Sequence, residues 1–364
     1  MPFVLQSNFT LLGLKLIVIQ AIYHKILTMR KRIYIAYTGG TIGMKPSEDG
    51  YIPQKQHLTD AIMKMPDFHR KEMPEFTINE YQPLIDSSNM SPADWQRIAN
   101  DIKEHYQEYD GFVVLHGTDT MAYTSSALSF MLENLTKPVI VTGSQIPLSQ
   151  LRSDGQENLL NSLYIAANFP IAEVGLYFNN KLFRGNRSIK AYADGFNAFD
   201  SPNMAPLLEA GINIKLVQGE ISQANEEPLK LADITPQPIG VVHLYPGIST
   251  ELIKNIIKQP VKALIIRSYG VGNAPQDKDL LECLKEANEN GIVVVNCSQC
   301  IKGTVNMKGY ATGNALSKIG VISGNDMTLE ATLTKLHYLL SKNYSQAKIC
   351  QLLQENLRGE LTLN

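Results

Sequence analysis

The chain has 364 residues and a formal net charge of −2, so it lacks the basic excess a nucleic-acid binder needs to neutralise phosphates. Four cysteines in this length do not make a disulfide framework. With 44% hydrophobic and 19% charged residues, the composition is that of a globular protein with a sizeable core, long enough for two domains.

The first stretch differs from the rest. Phe9 to Leu27 is apolar, but Lys15, Gln20, His24 and Lys25 interrupt it, and no uninterrupted run is long enough to cross a bilayer. It has neither the positive start nor the small-residue cleavage site of a secretory leader. Residues 1–28 therefore read as an N-terminal extension ahead of a second start codon at Met29, with no membrane contact expected.

Ile33-Tyr34-Ile35-Ala36 reads as a short buried strand that runs into Thr38-Gly39-Gly40-Thr41-Ile42-Gly43. Glycines at a strand end let the backbone approach a ligand or another chain segment. Met44 to Gln54 has two prolines, a glycine and no helical period, which predicts a mobile surface loop carrying Tyr51. His57 to Met65 reads as a short helix and Phe76 to Tyr81 as a strand ending in the polar turn Asp86-Ser87-Ser88. Ser91-Pro92-Ala93-Asp94 opens a helix, with serine as cap, proline in the first turn and an acid near the positive end. Trp95, Ile98, Ile102 and Tyr106 give it one apolar face.

Phe112-Val113-Val114-Leu115 is a fully apolar strand stopped by His116-Gly117-Thr118-Asp119-Thr120, with a helix following through Leu132. Strand 138–142, helix 155–167 and strand 174–178 continue the alternation. Short apolar strands separated by helices predict an α/β fold with a mainly parallel sheet flanked by helices. Ligands in such sheets bind beyond the carboxyl ends of the strands, where Thr41, Ser87 and Thr118 fall. The rhythm breaks at 213–238, taken as a linker between a larger N-terminal domain (29–212) and a smaller C-terminal α/β domain (239–364). In the latter, strands are expected at 240–244, 263–267 and 292–295, and helices at 249–257, 277–290, 329–340 and onward to about Leu357.

Several chemistries are excluded by spacing. In a dinucleotide fingerprint the first glycine would fall on Thr38, and no helix pattern follows. There is no G-x-S-x-G elbow, and no histidine spacing suited to a metal. Cys297 and Cys300 form a C-x-x-C without the following helix that would lower a thiol pKa, so packing or a regulatory contact competes with redox chemistry. His116 reads either as a base or as a structural imidazole. A threonine hydroxyl attacks only if something takes its proton, and Thr118 backed by Asp119 and the Lys190 ammonium would form such a relay. The alternative for 184–190 is a solvated basic loop.

Thr38-Gly39-Gly40-Thr41-Ile42, His116-Gly117-Thr118-Asp119-Thr120 and the Lys190 loop together resemble the bacterial-type L-asparaginases, from about Arg32 to the C-terminal helix. Leu128-Ser129-Phe130-Met131-Leu132-Glu133-Asn134 and Arg267-Ser268-Tyr269-Gly270-Val271-Gly272-Asn273 are similar to the cytoplasmic type I branch. The resemblance implies cytoplasmic hydrolysis of L-asparagine to L-aspartate and ammonia through an acyl-enzyme, without cofactor or metal. It implies Thr41 as nucleophile, Tyr51 closing over it, and Thr118, Asp119 and Lys190 as the supporting triad. Asp119 would take the substrate α-ammonium, and Asp86, Ser87 and Ser88 its α-carboxylate end. It further implies a homodimer or homotetramer in which Asn273 of a neighbouring subunit completes each site. A second, regulatory asparagine site would involve Arg267 and Cys300, although Ile189 stands where a hydroxyl would suit a polar effector better. Two other readings are a catalytically silent amino-acid-binding sensor and an asparaginase-like ammonia-supplying subunit of a tRNA-dependent amidotransferase.

Overall fold

The computed structural model describes residues 30–48, 50–217, 227–307, 309 and 311–363. The N-terminal extension and part of the acidic connecting stretch lie outside the described residues. An eight-stranded sheet organises the N-terminal part: β1 (Arg32–Gly39), β2 (Glu75–Ile85), β3 (Gly111–Leu115), β4 (Val139–Thr142), β5 (Val174–Phe178), β6 (Lys181–Arg184), β7 (Leu208–Ala210) and β8 (Ile214–Leu216). Their spatial order is β8-β7-β6-β5-β4-β3-β1-β2, with β1 to β5 mutually parallel and β6 to β8 antiparallel. The C-terminal part has a four-stranded parallel sheet in sequence order: β9 (Ile239–His243), β10 (Ala263–Ser268), β11 (Val293–Ser298) and β12 (Ile322–Ser323). The fold is thus the two-part α/β architecture expected from the alternating pattern.

The two faces of β1 show how the layers form. Ile33, Ile35 and Tyr37 pack with helices α1 (His57–Met63) and, beyond the next two helices, the one spanning Gly155–Asn168. Tyr34 and Ala36 face the opposite way, onto α2 (Pro92–His105) and α3 (Met121–Met131), the Gly155–Asn168 helix then being α4. Strand side chains alternate between faces, so one strand serves both cores. The α2–α3 layer is shared with the second sheet: Ile265 of β10 and Val295 of β11 join the core of Trp95, Ile98, Leu128 and Phe130. Leu264 and Ile266 turn to the far side, against α5 (Thr250–Ile257) and α6 (Lys278–Glu289). Full burial of each such Ile or Leu contributes roughly 1.5–3 kcal/mol, so this shared layer holds the two sheets together. The remaining helices are α7 (Ala311–Lys318), α8 (Leu329–Leu340) and α9 (Gln346–Leu353).

Ser91 caps α2 with a reciprocal box in which the Asp94 carboxylate accepts from the Ser91 N–H at 2.9 Å. Two segments differ from expectation. Met44–Ser47 and Gly50–Pro53 pair as an antiparallel hairpin instead of forming an irregular loop. The last helix stops at Leu353, because the chain beyond it turns back to bury Glu360. Among the described residues, no helix is long and apolar enough to cross a membrane.

Candidate active site

The motifs singled out in the sequence meet at the carboxyl ends of β1 to β4. β1 ends in Gly39 and Gly40, whose φ angles are 139° and 90°, in the region that favours glycine. A Cβ on Gly39 would lie 2.2 Å from the Ile85 carbonyl oxygen at the end of β2. A Cβ on Gly40 would lie 2.4 Å from the Gly117 nitrogen after β3. The two threonine motifs are therefore packed backbone against backbone, and Thr41 and Thr118 are each the next residue beyond the contact. Gly117 in turn abuts Ser87, whose Oγ would be 2.4 Å from an added Cβ. Thr38 reinforces the junction by donating to the Leu115 carbonyl at 2.8 Å.

Thr41 opens a single 3-10 turn, Thr41–Gly43, and is half-buried. The turn is tied to the loop after β4 by the Leu148 N–H, which donates to the Ile42 carbonyl at 2.9 Å. Tyr51, on the hairpin that leaves this turn, is 50% exposed and pairs across the strands with Pro46. Asp86 caps the short turn Ser87–Asn89, accepting from the N–H and the hydroxyl of Ser88, each at 2.9 Å. Thr120 donates to the Ser87 carbonyl at 2.7 Å and so joins that turn to the Thr118 loop.

Thr118 is buried, and its hydroxyl lies between two groups. Lys190 Nζ donates to Thr118 Oγ1 at 2.9 Å and to Asp119 Oδ1 at 2.6 Å. The Thr118 hydroxyl donates to Gln145 Oε1 at 3.0 Å. Lys190 arrives from a different strand system, since Ile189–Lys190 pairs with Phe199–Asp200 beyond β6. An ammonium that donates to one hydroxyl and one carboxylate can give up a proton along that line and take it back.

Gln145 was not singled out by sequence pattern. Its amide nitrogen donates to the Ala193 and Gly195 carbonyls at 3.3 and 3.1 Å, which fixes its oxygen toward Thr118. Its own backbone N–H is held by both Asp154 carboxylate oxygens at 3.0 Å. An uncharged amide in a loop carries no motif. The only signal available was its position at the end of a parallel strand.

His116 is a structural imidazole. It is wholly buried, and burial lowers its pKa from 6.5 to about 4, leaving the ring neutral near pH 7. Nδ1–H donates to the Gly117 carbonyl at 2.7 Å, and Nε2 accepts from Thr124 Oγ1 at 2.8 Å. Trp95 Nε1 donates to the same Thr124 oxygen at 3.1 Å. The ring thus shapes the turn that presents Thr118.

The remaining residues lie in the C-terminal part. Asn273 ends a tight turn in which its N–H donates to the Tyr269 carbonyl at 2.8 Å and its carbonyl accepts from Tyr269 N–H at 2.9 Å. Arg267 donates through Nε and Nη2 to the Ser298 carbonyl at 3.2 and 3.0 Å. With Cys300, Glu330, Asn203 and Ile189, Arg267 lines a cavity of about 240 Å³ at the junction of the two parts, and Lys190 lines it as well. Cys300 is exposed, while Cys297 is buried and its thiol is pushed up to about 11 by that burial. Both are free thiols. Among the described residues, no three His, Cys, Asp or Glu side chains gather as a metal site would need.

A two-domain α/β chain with hydroxyl-bearing turns converging at the carboxyl ends of one sheet's strands defines a class, and family comparison gives the same class. The description "Asparaginase, N-terminal" matches residues 32–222, and "Glutaminase/Asparaginase C-terminal domain" matches 238–353. The chain belongs to the asparaginase family. It is 66% identical over 333 residues to L-asparaginase 1 of Escherichia coli (strain K12), covering 92% of this chain and 98% of that one. Among solved structures it is similar to L-asparaginase I from Vibrio cholerae, with a TM-score of 0.87 and 60% identity over 92% of this chain and 100% of that one. The thermostable L-asparaginase from Thermococcus kodakarensis follows at a TM-score of 0.83 and 30% identity, with coverage of 92% and 100%.

Proposed function

We propose that this protein hydrolyses L-asparagine to L-aspartate and ammonia with Thr41 as nucleophile. The observation that carries the reading is the Lys190 ammonium joined to both Thr118 Oγ1 and Asp119 Oδ1, on a loop packed directly against the Gly40–Thr41 turn. The names of the relatives support the substrate.

Thr41 Oγ attacks the carboxamide carbon, and its proton ends on the departing nitrogen, so ammonia leaves and an aspartyl ester remains on Thr41. Thr118, Asp119 and Lys190 carry the protons, a role worth about 10²–10⁴ in rate. Backbone N–H groups around Thr118 meet the charge that develops on the carbonyl oxygen. Water then cleaves the ester and restores the hydroxyl. Asp119 is the partner for the substrate α-ammonium, and Asp86, Ser87 and Ser88 hold the α-carboxylate end. Tyr51 closes over Thr41 when the hairpin folds inward on bound substrate. Asn273 of a neighbouring subunit completes the site in a homodimer or homotetramer, and the protein works in the cytoplasm. The cavity lined by Arg267 and Cys300 is the regulatory position, with Ile189 removing one polar contact from it.

Steady-state ammonia release from L-asparagine, with L-glutamine as comparator, tests the reading in wild type and Thr41→Ala. The expected result is turnover by wild type that Thr41→Ala abolishes. Equal, near-zero rates from both would instead support an amino-acid sensor using the same pocket.

A further inference from the structure

Amide hydrolysis does not by itself account for how the end of the chain is held. After α9 the chain returns across α8 toward the large sheet. Glu360 is fully buried and ion-paired with the equally buried Lys335, and its carboxylate also accepts from the Leu357 and Arg358 N–H groups. That clasp fixes the tail in place. The tail then grips the turn Gly185–Arg187. Asn186 Nδ2 donates to the Arg358 carbonyl at 2.9 Å, and Arg187 Nε donates to the Gly359 carbonyl at 2.8 Å. Arg187 Nη2 donates to Thr362 Oγ1 at 2.9 Å, while Nη1 reaches Asp326 Oδ2 at 2.9 Å. Thr362 closes the ring, donating through N–H and hydroxyl to Asp326 at 2.9 and 2.7 Å.

Both gripped residues are buried, Asn186 wholly and Arg187 to within 5%. A buried guanidinium with all three nitrogens engaged has one accessible geometry. Lys190 lies three residues further on. At Lys190 itself the backbone is held by a short ladder, Ile189 with Asp200 and Lys190 with Phe199, and beyond it the Ala191 and Tyr192 N–H groups donate to the Ala198 carbonyl at 2.8 and 3.1 Å. The alignment of Lys190 on Thr118 is therefore set on one side by a short ladder and on the other by the Arg187 ring.

We infer that the C-terminal tail is a positioning element for the reaction: Thr362, Gly359 and Asp326 hold Arg187, and Arg187 holds the loop that aims Lys190 at Thr118. The inference rests on the role proposed above for Lys190. It assigns no substrate contact to the tail, so its effect must pass through Lys190.

The test is a double-mutant cycle on asparagine hydrolysis with Thr362→Val and Lys190→Met, supported by Arg187→Lys and Thr362→Ser. Thr362→Val is expected to lower kcat about tenfold, as small displacements of a catalytic group do, while KM moves by less than about twofold. Arg187→Lys, which keeps the charge but loses the fork, lowers kcat further, and Thr362→Ser restores it. In the Lys190→Met background, Thr362→Val has no additional effect. Circular dichroism and thermal melting of Thr362→Val match wild type, separating alignment from unfolding. An active wild type with unchanged kcat in Thr362→Val overturns the inference alone, as does a full additional loss in the Lys190→Met background. A wild type that releases no ammonia overturns the proposed function, and the inference with it.

Discussion

Replacing Lys190 by methionine keeps the aliphatic stem and removes only the ammonium. That group makes two contacts, 2.9 Å to Thr118 Oγ1 and 2.6 Å to Asp119 Oδ1. Asp119 is 62% exposed, so solvent screens the ion pair and its contribution to folding is at most about 1 kcal/mol. The same ammonium, as part of a proton relay, is worth about 10²–10⁴ in rate, or roughly 3–5 kcal/mol of barrier. The catalytic effect exceeds the stability effect severalfold. Lys190→Met should therefore lose at least about a hundredfold in kcat while its urea midpoint stays close to wild type. Ammonia release under saturating L-asparagine, normalised to folded protein, reads the first quantity, and equilibrium unfolding reads the second. A variant that keeps kcat within about threefold of wild type, or whose lost activity only tracks lost folded protein, would refute the relay.

Gly40→Ala should destabilise the fold by more than about 1–3 kcal/mol in urea unfolding, because its Cβ meets the Gly117 backbone and its φ is 90°. Gly50→Ala, with φ 102° but open space around it, carries the strain alone and should cost less. Removing the Lys335 ammonium as Lys335→Met strands the fully buried Glu360 carboxylate, and unfolding should show a loss of about 3–5 kcal/mol. His116 has a depressed pKa in the folded state, about 4 against 6.5, so the unfolded chain binds the extra proton as pH falls. Its contribution is fully present above pH 6.5 and is lost toward pH 4, amounting to about 3 kcal/mol. Urea unfolding at the two ends of that window should show the drop in wild type, and His116→Gln should flatten it.

The parts of the site that could be read from sequence are those where chemistry imposes a residue type on a strand end. Gly39, Gly40 and Gly117 are such positions, because each is crossed by another segment too closely for a side chain. The parallel strands were readable because both of their faces are buried, as in Gly111–Leu115. The hairpin bearing Tyr51 was not. Gly50–Pro53 is exposed throughout, and a strand with no buried face has no apolar alternation to detect. The antiparallel strands β7 and β8 have three residues each, too few to show a period. Gln145 acquires its role only when the Ala193 and Gly195 carbonyls, some fifty residues away, orient its amide. The grip of Arg187 on Gly359 and Thr362 spans still more of the chain, 172 and 175 positions. Local pattern contains nothing about such pairings; they follow from the tertiary path.

The account turns on an ester forming at one threonine and not the other. Acid quench of the wild type during turnover of L-asparagine, followed by peptide mass mapping, locates that ester most directly. The account predicts an aspartyl adduct on the peptide containing Thr41, absent when Thr41→Ala is introduced. An adduct on any other peptide, or wild-type turnover undiminished by Thr41→Ala, would contradict it.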